Sequence, residues 1–358
     1  MSRMFRIPAL DRFLGRGEAA VTVPPLDGGL KPNNRLEELP AGISANAPDD
    51  MALWQGGVVW SDGCQVMSAA GEILAIEEPI TAIAASENIL AIASAKGLTF
   101  FDASGGDVTP ALSADITHTT ALAFAPDGTL WFATGSTQLP PAEWRRDLME
   151  LNRSGTLGRV LPGGQVDVTK TGLGWPAGIA VRRSGAIVVA EAWLSQLIEF
   201  DANGGGKGRV LLDEVPGYPG RLTRRASGGW WLCIFAPRSP LIEFVLREPD
   251  YRRAMLAEIE PELWVAPKLS SGENYREPMQ GGALKQMGVL KPWAPTLSYG
   301  LIVALDANFV PQESMHSRAG GQRHGITGAL DINGELWMAV QGNGEVLSTS
   351  ATDVGGAA

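Results

Sequence analysis

Four ionisable side chains occupy positions in this sequence where acid–base chemistry could take place. Glu191 interrupts the apolar run IVVAEAWL, where a carboxylate is costly unless it is paired or faces a wet cavity. The chain contains three histidines, His118, His316 and His324, and histidine is the usual proton-transfer group near neutral pH. We therefore take Glu191, His316 and His324 as candidate catalytic residues for hydrolysis or elimination. The alternative is structural: Glu191 is hydrogen-bonded within its own sheet, and each histidine is a polar residue of a connecting loop.

A second set of residues could shape a binding site for a small molecule. Its aromatic members, at the ends of predicted strands, are Trp175, Trp193 and Tyr218. Its arginines are Arg221, Arg224 and Arg225. Flat aromatic faces suit sugars and polycyclic compounds, and arginine suits a carboxylate or phosphate. The three aromatic residues and Arg221, with His118 and Asp49, form the predicted substrate-binding set, although packing between sheets also requires large residues at such positions.

The elements that position these residues come from six copies of one pattern. The four clearest copies are HTTALAFAPDGTLWFATGS (from His118), WPAGIAVRRSGAIVVAEAW (from Trp175), YPGRLTRRASGGWWLCIFA (from Tyr218) and HGITGALDINGELWMAVQG (from His324). The two weaker copies are APDDMALWQGGVVWSDGCQ (from Ala47) and EPITAIAASENILAIASAK (from Glu78). One column then holds Gly57, Asn88, Gly128, Gly185, Gly228 and Gly334. Each copy is an apolar run, a polar turn and a second apolar run, which is typical of a β-hairpin.

Six hairpins at recurrent spacing predict a closed array, because a hairpin alone is not stable and closure removes unpaired sheet edges. The simplest such array is an all-β, six-bladed β-propeller. A seventh blade is not predicted, because residues 239–263 have helical spacing with a break near Pro249. They form a short helical insertion after the inner strands of the fifth blade. Residues 270–298 form a long loop, and residues 299–315 complete the fifth blade or open the sixth.

The predicted domain organisation is a single propeller, residues 47–350. An N-terminal lead of residues 1–46 precedes it and a tail of residues 351–358 follows it. Within the lead, residues 18–23 are the candidate outer strand that closes the ring. Both cysteines lie inside strand patterns and are expected to behave as small core residues.

The composition limits the partners that this chain can have. Its 29 basic and 39 acidic residues give a formal net charge of −10, which argues against nucleic acid or an anionic membrane as the main partner. No apolar run approaches the roughly 18 residues of a membrane span, and the N-terminus lacks the apolar core of a signal peptide. We therefore expect a cytoplasmic protein with a small-molecule ligand, and the oligomeric state is left open.

The order of several segments resembles that of the strictosidine-synthase-like family of six-bladed propellers. These segments are GYPGRLTRRASGGWWL, PRSPLIEFVLREPDYRRAML, YGLIVALD, SMHSRAG and HGITGALDINGELW. The resemblance covers roughly residues 45–350, and the family belongs with the gluconolactonase and paraoxonase type of calcium-dependent lactonases. It implies an active site or ligand pocket at one mouth of the central channel, where the innermost strands of the blades begin.

In the metal-dependent relatives, side chains from one column of the repeats bind Ca²⁺ or a similar cation. The third column here holds Asp49, Ile80, Thr120, Ala177, Gly220 and Ile326. Hard cations need about six or more oxygen ligands, and only Asp49, with Asp50 beside it, could be a strong ligand. The family's proline-asparagine-glycine motif is Pro176-Ala177-Gly178 here, and its glycine-tyrosine-proline-aspartate motif ends in Gly220. The resemblance therefore predicts no metal-ligand set and no cofactor, with Ca²⁺ or another divalent cation at Asp49 as the lesser alternative.

The resemblance also argues against the synthase reaction. Strictosidine synthase joins an amine to an aldehyde with a glutamate of the last blade as the acid–base group, and Gly328 stands at that position here. The prediction is a strictosidine-synthase-like propeller that acts on a small oxygen-rich molecule, a sugar derivative or lactone, by metal-independent hydrolysis or elimination. A non-catalytic propeller that binds a small molecule or a protein is the first alternative. A metal-dependent lactonase with a degenerate site is the second, and whether the chain is an enzyme is left open.

Overall fold

The computed structural model describes residues 23–270 and 297–351, together with positions 276, 285–286 and 289–290. Its described strands form six antiparallel sheets of three or four strands and one separate two-stranded ribbon. The innermost strands of neighbouring sheets pack side by side round a closed ring, so that the first contacts both the second and the sixth. The fold is a six-bladed β-propeller, and the predicted fold class is confirmed.

The first three blades follow one another along the chain. A short strand, β1 (Ile43–Ser44), precedes them. Blade 1 contains β2 (Pro48–Trp54), β3 (Gly57–Asp62), β4 (Gln65–Ser68) and β5 (Gly71–Ala75). Blade 2 contains β6 (Ile80–Ala85), β7 (Ile89–Ser94) and β8 (Gly97–Asp102). Blade 3 contains β9 (Thr119–Phe124), β10 (Leu130–Thr134), β11 (Gly155–Val160) and β12 (Val166–Leu173).

The last three blades have the same order with one interruption. Blade 4 contains β13 (Pro176–Val181), β14 (Ile187–Glu191), β15 (Gln196–Phe200) and β16 (Arg209–Leu212). Blade 5 begins with β17 (Gly217–Arg224) and β18 (Trp230–Pro237), and after the ribbon of β19 (Lys285–Gln286) and β20 (Val289–Leu290) it ends with β21 (Gly300–Leu305) and β22 (Pro311–Ser317). Blade 6 contains β23 (Ile326–Ile332), β24 (Glu335–Val340) and β25 (Glu345–Ser350). Of the two alternatives for residues 299–315, completion of the fifth blade is the one observed.

Blade 6 is completed by residues from the other end of the propeller. Strand β1 is its outer strand, because Ile43 pairs with Val346 and Ser44 with Glu345 of β25. The predicted closing strand, residues 18–23, lies outside the described residues except for its last residue, which is not in a strand. The hydrogen bonds between β1 and β25 therefore close the ring, which leaves blade 6 without an exposed outer edge on β25.

An N-terminal clasp, residues 28–40, lies against blades 5 and 6 just before β1. It contains the short helix α1 (Arg35–Glu38), in which Leu36 is fully buried in the core. The guanidinium of Arg323 donates a hydrogen bond to the Leu36 carbonyl oxygen at 2.7 Å. The Glu37 carboxylate in turn accepts a hydrogen bond of 2.8 Å from the backbone N–H of Arg323. The clasp is thus fixed to blade 6 by charged groups as well as by burial of Leu36.

The helices outside the clasp lie in two insertions. They are α2 (Trp144–Glu150), between β10 and β11, and α3 (Pro240–Leu246) and α4 (Pro249–Glu258), after β18. Ser239 caps α3, since its hydroxyl accepts a hydrogen bond of 3.3 Å from the backbone N–H of Ile242. Pro249 begins α4, as expected for a residue that fits the first turn of a helix and breaks its interior. The helical insertion after the inner strands of blade 5 is confirmed, whereas the predicted loop of residues 270–298 lies mostly outside the described residues.

Short 3₁₀ turns complete the described secondary structure. They occur at Gly28–Leu30, Pro141–Glu143, Ala192–Leu194, Pro261–Leu263 and Gln341–Asn343. In the part of the chain that the structure describes, no helix has both the length and the apolar character needed to cross a bilayer.

The hairpin turns agree with the predicted glycine column at four of its six positions. Gly128, Gly185, Gly228 and Gly334 have left-handed backbone, with φ values of 84°, 86°, 96° and 84°. Glycine adopts this conformation without the steric strain that a Cβ atom causes. In blade 1 the left-handed glycine is Gly56, with φ of 78°, so the first copy of the pattern is displaced by one residue from the predicted column.

The hydrophobic core lies between the blades. Trp231 and Cys233 of blade 5, for example, pack in one cluster with Met338 and Val340 of blade 6, and all four are buried. Cys233 therefore occupies the core position expected from the sequence, whereas Cys64 is half-buried. Because every blade packs on two neighbours, the inner strands are held in a fixed arrangement around the channel.

Candidate functional site

Each innermost strand contains a β-bulge near its start, at the same level of the channel. The bulged residues are Asp49 with Asp50, Thr81, Thr120, Ala177, Gly220 with Arg221, and Thr327. A bulge leaves a residue unpaired and changes the direction of its side chain. The third column coincides with the bulges in blades 1, 3, 4 and 5. In blades 2 and 6 the bulges fall one residue later, on Thr81 and Thr327 rather than on Ile80 and Ile326.

The side chain of Arg221 occupies the centre of the ring of bulges. Its Nη1 and Nη2 atoms donate hydrogen bonds of 2.9 Å to the two carboxylate oxygens of Asp49. Nη1 also donates to the Thr327 carbonyl at 3.2 Å, and Nη2 to the carbonyls of Thr81 at 2.9 Å and Thr120 at 3.5 Å. Arg221 belongs to blade 5 and its partners to blades 1, 2, 3 and 6. A group reached from five blades must lie on the channel axis.

Asp50 adds a second carboxylate to the Arg221–Asp49 pair. Its Oδ1 atom lies 3.0 Å from Nε of Arg221, and its Oδ2 atom accepts a hydrogen bond of 2.9 Å from the backbone N–H of Ile83. Burial raises the pKa of Asp50, the charge of Arg221 opposes this effect, and the charge of Asp49 adds to it. Burial lowers the pKa of Arg221, but the two carboxylates outweigh that effect and raise it overall. The buried cation and its two counter-ions therefore depend on one another.

A pocket of about 290 Å³ opens above this ion cluster at the channel mouth. Its floor contains the bulged residues Asp49, Thr81, Thr120, Ala177, Gly220, Arg221 and Thr327. Its walls contain Pro79, Ile80, Pro141, Ala142, Trp144, Trp175, Phe235, Leu269 and Gln341. A polar floor under a largely apolar and aromatic wall is the usual construction of a small-molecule site. We call this cavity the channel-mouth pocket.

Five aromatic rings form one cluster along the wall of the channel-mouth pocket. They are Trp144, Trp175, Trp193, Tyr218 and Phe235. Trp193 lies at the centre, with its ring centroid 5.3 Å from that of Trp175 and 5.6 Å from that of Tyr218. The indole N–H of Trp193 donates a hydrogen bond of 2.7 Å to Asp147 on α2. Asp147 therefore fixes the orientation of the ring against which the pocket wall is packed.

The structure places the predicted binding residues at three levels. Asp49, Trp175 and Arg221 line the channel-mouth pocket. Trp193 and Tyr218 lie behind its wall in the aromatic cluster and line a neighbouring side pocket. His118 lines neither cavity, and its Nδ1 atom lies 3.0 Å from the carbonyl oxygen of Ser136. His118 and Trp175 share a left-handed backbone, with φ of 55° and 53°, as expected for residues in the same column.

The wall also contains residues that the sequence did not indicate. Trp144 lies on α2, an insertion between two strands of blade 3, so no column of the repeat could identify it. Phe235 belongs to an apolar run, WWLCIFAP, in which all residues are buried. The sequence alone does not show which of these side chains faces the pocket. A helical reading of residues 141–150 was the one signal that could have pointed to Trp144.

Glu191 has its hydrogen-bond partners inside blade 4. Its Oε1 atom accepts a hydrogen bond of 2.8 Å from the backbone N–H of Gly174, and its Oε2 atom one of 2.7 Å from the side chain of Gln196. The side chain is buried and does not line the channel-mouth pocket. It shares no hydrogen bond with His316 or His324. The structure therefore brings together two of the three predicted catalytic residues, His316 and His324, which both contact Tyr299. Glu191 has Gly174 and Gln196 as its partners instead.

His316 is a fully buried neutral residue beneath the N-terminal clasp. Ser314 donates its hydroxyl proton to the Gly29 carbonyl at 2.8 Å, so it accepts a hydrogen bond from Nε2–H of His316 at 2.7 Å. The Nδ1 atom of His316 then accepts from the Tyr299 hydroxyl at 3.1 Å. Burial lowers the pKa of His316 to about 4, and the charge of Arg318 adds to the effect. A neutral imidazole with both nitrogens engaged cannot serve as a base in a distant pocket.

His324 also packs against Tyr299 and has both ring nitrogens engaged. The two ring centroids lie 6.4 Å apart and the rings are stacked. Nε2 of His324 lies 3.0 Å from the Arg318 carbonyl and therefore carries the proton, so Nδ1 accepts from the Ser298 hydroxyl at 2.9 Å. Burial lowers the pKa of His324. His316 and His324 thus contribute to the packing of blades 5 and 6 around Tyr299.

The residues at the channel mouth do not fit a metal site. Among the residues that the structure describes, no group of three or more His, Cys, Asp or Glu side chains is placed to hold an ion. Both carboxylate oxygens of Asp49 are bound to Arg221, whose guanidinium occupies the axial position. A Cβ atom on Gly328 would lie 2.4 Å from the Asp49 carbonyl oxygen, so this backbone leaves no room there for the glutamate of the synthase.

Comparisons with known proteins identify the fold. No protein-family model and no curated protein matches the chain. Among solved structures, it is similar to a putative gluconolactonase, with 14% identity, a TM-score of 0.51, and coverage of 88% of this chain and 94% of the other. It is also similar to a gluconolactonase from Xanthomonas campestris, with 14% identity, a TM-score of 0.51 and coverage of 86% of each chain. The chain shares the six-bladed propeller fold of gluconolactonase-type proteins.

Proposed function

We propose that this chain is a strictosidine-synthase-like propeller that binds a small hydroxyl-bearing molecule in the channel-mouth pocket, without a metal ion. The supporting observation is the ion pair between Arg221 and Asp49 on the channel axis. It supplies a fixed positive charge at the position where a bound cation would lie. The proposal keeps the cytoplasmic location expected from the sequence.

The hydrogen-bonding capacity of the floor indicates what kind of ligand it suits. Both terminal nitrogens of Arg221 already donate to Asp49 and to backbone carbonyls. The hydroxyls of Thr81, Thr120 and Thr327 also donate to backbone carbonyls. The free capacity of the floor therefore consists of acceptors, chiefly the remaining lone pairs of Asp49. A ligand that donates several hydrogen bonds, such as a sugar derivative, complements such a floor.

The walls favour a ligand that also has a flat apolar side. Trp144, Trp175 and Phe235 form one side of the pocket, and aromatic faces pack well on the C–H face of a sugar ring. The volume of about 290 Å³ suits a molecule of one or two rings. A strongly anionic ligand is disfavoured, because Asp49 and Asp50 place two carboxylates beside the single guanidinium of Arg221.

Binding alone is the function that this geometry supports best. Asp49 and Arg221 are the only ionisable residues that line the channel-mouth pocket in the described part of the chain. Because Arg221 holds both oxygens of Asp49, no free general base faces a bound molecule. Glu191, His316 and His324 are engaged elsewhere. The non-catalytic alternative from the sequence is therefore preferred to hydrolysis or elimination.

The test is a binding screen with tryptophan fluorescence and thermal melting as readouts. Monosaccharides, polyols and aldonolactones are titrated with and without chelator, and lactone hydrolysis is followed in parallel with a pH indicator. We expect saturable binding of hydroxyl-rich rings that chelator does not change, and no hydrolysis. Trp175→Ala and Asp49→Asn should abolish the binding. Asp167→Asn should leave the binding unchanged, because the Asp167 carboxylate is paired with Arg159 on the outer side of blade 3. Chelator-sensitive binding, lactone turnover, or no binding at all would overturn the proposal.

A further inference from the structure

The far face of the propeller, opposite the channel-mouth pocket, has a second cleft. Turns that join the first and second strands of blades 2, 3, 4 and 5 border it, and its volume is about 600 Å³. The bordering residues are 86–89, 124–126, Gly128, 181–183 and Arg224. These turns lie at the opposite end of the inner strands from the bulges. We call this cavity the far-face cleft.

The far-face cleft concentrates positive charge in an acidic protein. Arg182, Arg183 and Arg224 line it, and Glu87 is the only acidic residue that does so among the described residues. The chain as a whole has a net charge of −10. The acidic composition of the chain does not account for three arginines in one cleft. An anion bound in the cleft would lie near all four turns.

Two of these arginines are held in place by stacked aromatic rings. The Arg224 guanidinium lies 4.5 Å from the ring centroid of Trp230, and the Arg182 guanidinium lies 5.4 Å from that of Phe309. The rings of Trp230 and Phe309 are themselves stacked, with centroids 5.5 Å apart and an angle of 15° between their planes. The four side chains therefore form one continuous stack across blade 5 to blade 4. A guanidinium fixed by stacking loses less conformational freedom when it binds an anion.

The arginines of the cleft retain donors for a ligand. Arg224 uses one Nη2 hydrogen bond of 2.9 Å to the Val181 carbonyl, and Arg183 is exposed, with no hydrogen-bond or ion-pair partner in the described part of the chain. Arg182 is paired with Glu199 at 2.5 Å. Burial lowers the pKa of Arg224, and the charges of Arg183 and Arg182 lower it further. A bound anion would relieve this repulsion.

We infer that the far-face cleft binds a small multivalent oxyanion through Arg183 and Arg224, with Arg182 supporting it. Phosphate and carboxylate groups share the chemistry that arginine recognises, since each presents two oxygens to the guanidinium fork. The site lies on the face opposite the channel-mouth pocket. Loss of one binding activity therefore leaves the other unchanged.

Isothermal titration calorimetry tests this inference with pyrophosphate and citrate as probes, at constant ionic strength set with sodium chloride. We expect one of the two to bind with a stoichiometry of one, and added salt to weaken the binding. Which probe binds distinguishes a phosphate from a carboxylate ligand. Arg183→Gln and Arg224→Gln should each lower the affinity about fivefold, as expected for a partly exposed charge pair.

The Arg183→Gln variant gives the decisive result. Among the described residues Arg183 has no hydrogen-bond or ion-pair partner, so its replacement should not affect folding. Arg224→Gln also removes the stacking on Trp230, so its melting temperature is measured alongside. Arg253→Gln on α4, exposed and outside the cleft, is the matched control and should keep wild-type affinity. Wild-type affinity in the Arg183→Gln protein, or no binding of either probe at millimolar concentration, would show that the inference is wrong.

Discussion

The carboxylate of Asp49 and the guanidinium of Arg221 meet on the propeller axis through two parallel hydrogen bonds of 2.9 Å. The two residues lie 172 positions apart in the chain, on blades 1 and 5. A bidentate pair of this kind is the strongest and most directional contact between charged side chains. The Arg221 guanidinium is thereby held at a fixed position on the channel axis.

Removal of Arg221 should destabilise the protein strongly. Arg221→Ala leaves Asp49 and Asp50 facing one another without a counter-ion, and breaking such a buried pair costs about 3–5 kcal/mol. We expect that loss in the free energy of unfolding, measured by chemical denaturation at neutral pH. Arg146→Ala, which removes an exposed helix pair, should cost less than about 1 kcal/mol. Equal losses in the two variants would contradict the central role of Arg221.

The same variant should acquire a metal site. Once Arg221 is absent, six oxygens surround the vacated position, two from Asp49, one from Asp50, and the carbonyls of Thr81, Thr120 and Thr327. Six oxygens are enough for Ca²⁺. We expect Ca²⁺ to raise the melting temperature of the Arg221→Ala protein and chelator to reverse the rise, with no such effect on the wild type. An unchanged melting temperature of the variant with Ca²⁺ would mean that the oxygens do not form a cation cradle.

Glu191 should prove to be a structural residue. In Glu191→Leu the backbone N–H of Gly174 and the side chain of Gln196 lose their buried acceptor, which costs about 1–3 kcal/mol of stability. Ligand affinity of the channel-mouth pocket should stay at the wild-type value in the same preparation. Denaturation and titration separate the two effects. A loss of ligand affinity without a loss of stability would return Glu191 to the functional site.

Stability should fall as the pH falls from about 6.5 to about 4, because of His316. Its folded pKa, about 4, is depressed below its ordinary value of 6.5 by burial, so the neutral form is favoured in the folded state. The stabilisation is complete above pH 6.5 and is lost as the pH falls towards 4, by about 3 kcal/mol in all. His324 acts in the same direction. The buried partners Tyr299 and Ser314 do not titrate in this window.

Unfolding at a series of pH values measures this dependence. Between pH 6.5 and 5 the clasp carboxylate Glu37 does not contribute, because its pKa is lowered and it titrates below this range. Asp50, whose pKa is raised by burial, acts in the opposite direction to the histidines, so the slope assigned to His316 is the difference between the wild type and His316→Gln. His316→Gln should flatten the profile in that window while lowering stability at pH 7. A profile of His316→Gln parallel to that of the wild type would refute the assignment.

The N-terminal clasp should open when Arg323 is replaced. The guanidinium of Arg323 binds the carbonyls of Leu36, Leu39 and Pro40 and pairs with Glu345 on β25. Arg323→Ala should lower the free energy of unfolding by about 3–5 kcal/mol, since Glu345 loses its counter-ion and the three clasp carbonyls lose the donor that Arg323 supplies. Limited proteolysis should then cut within residues 28–40 sooner than in the wild type. An unchanged cleavage pattern would show that β1 alone holds the closure.

The fold was predictable from the repeat, because the hairpin turns that define each blade depend on the local sequence. Gly128, Gly185, Gly228 and Gly334 required left-handed turns, and the turns fixed the hairpins. The β-bulges explain where the third column and the structure differ. A gapless column assumes equal spacing, but each inner strand contains a bulge. In blades 2 and 6 the bulged residue is Thr81 or Thr327, one position after Ile80 or Ile326.

The candidate site was predictable only in part, because its central contact is non-local. Asp49, Trp175 and Arg221 were each expected near the mouth, but nothing in the local sequence shows that Arg221 crosses the channel to Asp49. Glu191 illustrates the same point, because its hydrogen-bond partners could not be read from the strand pattern. A buried carboxylate in an apolar strand looks functional until its partners, here Gly174 and Gln196, are known.

The span of Arg221 across the channel has a consequence for selectivity. Five of the six blades hold one rigid side chain, so the diameter of the floor cannot change unless several hydrogen bonds break together. The pocket floor is therefore preorganised, and its conformation does not have to change when a ligand binds. A rigid pocket floor should discriminate between ligand isomers that differ in the direction of a single hydroxyl group.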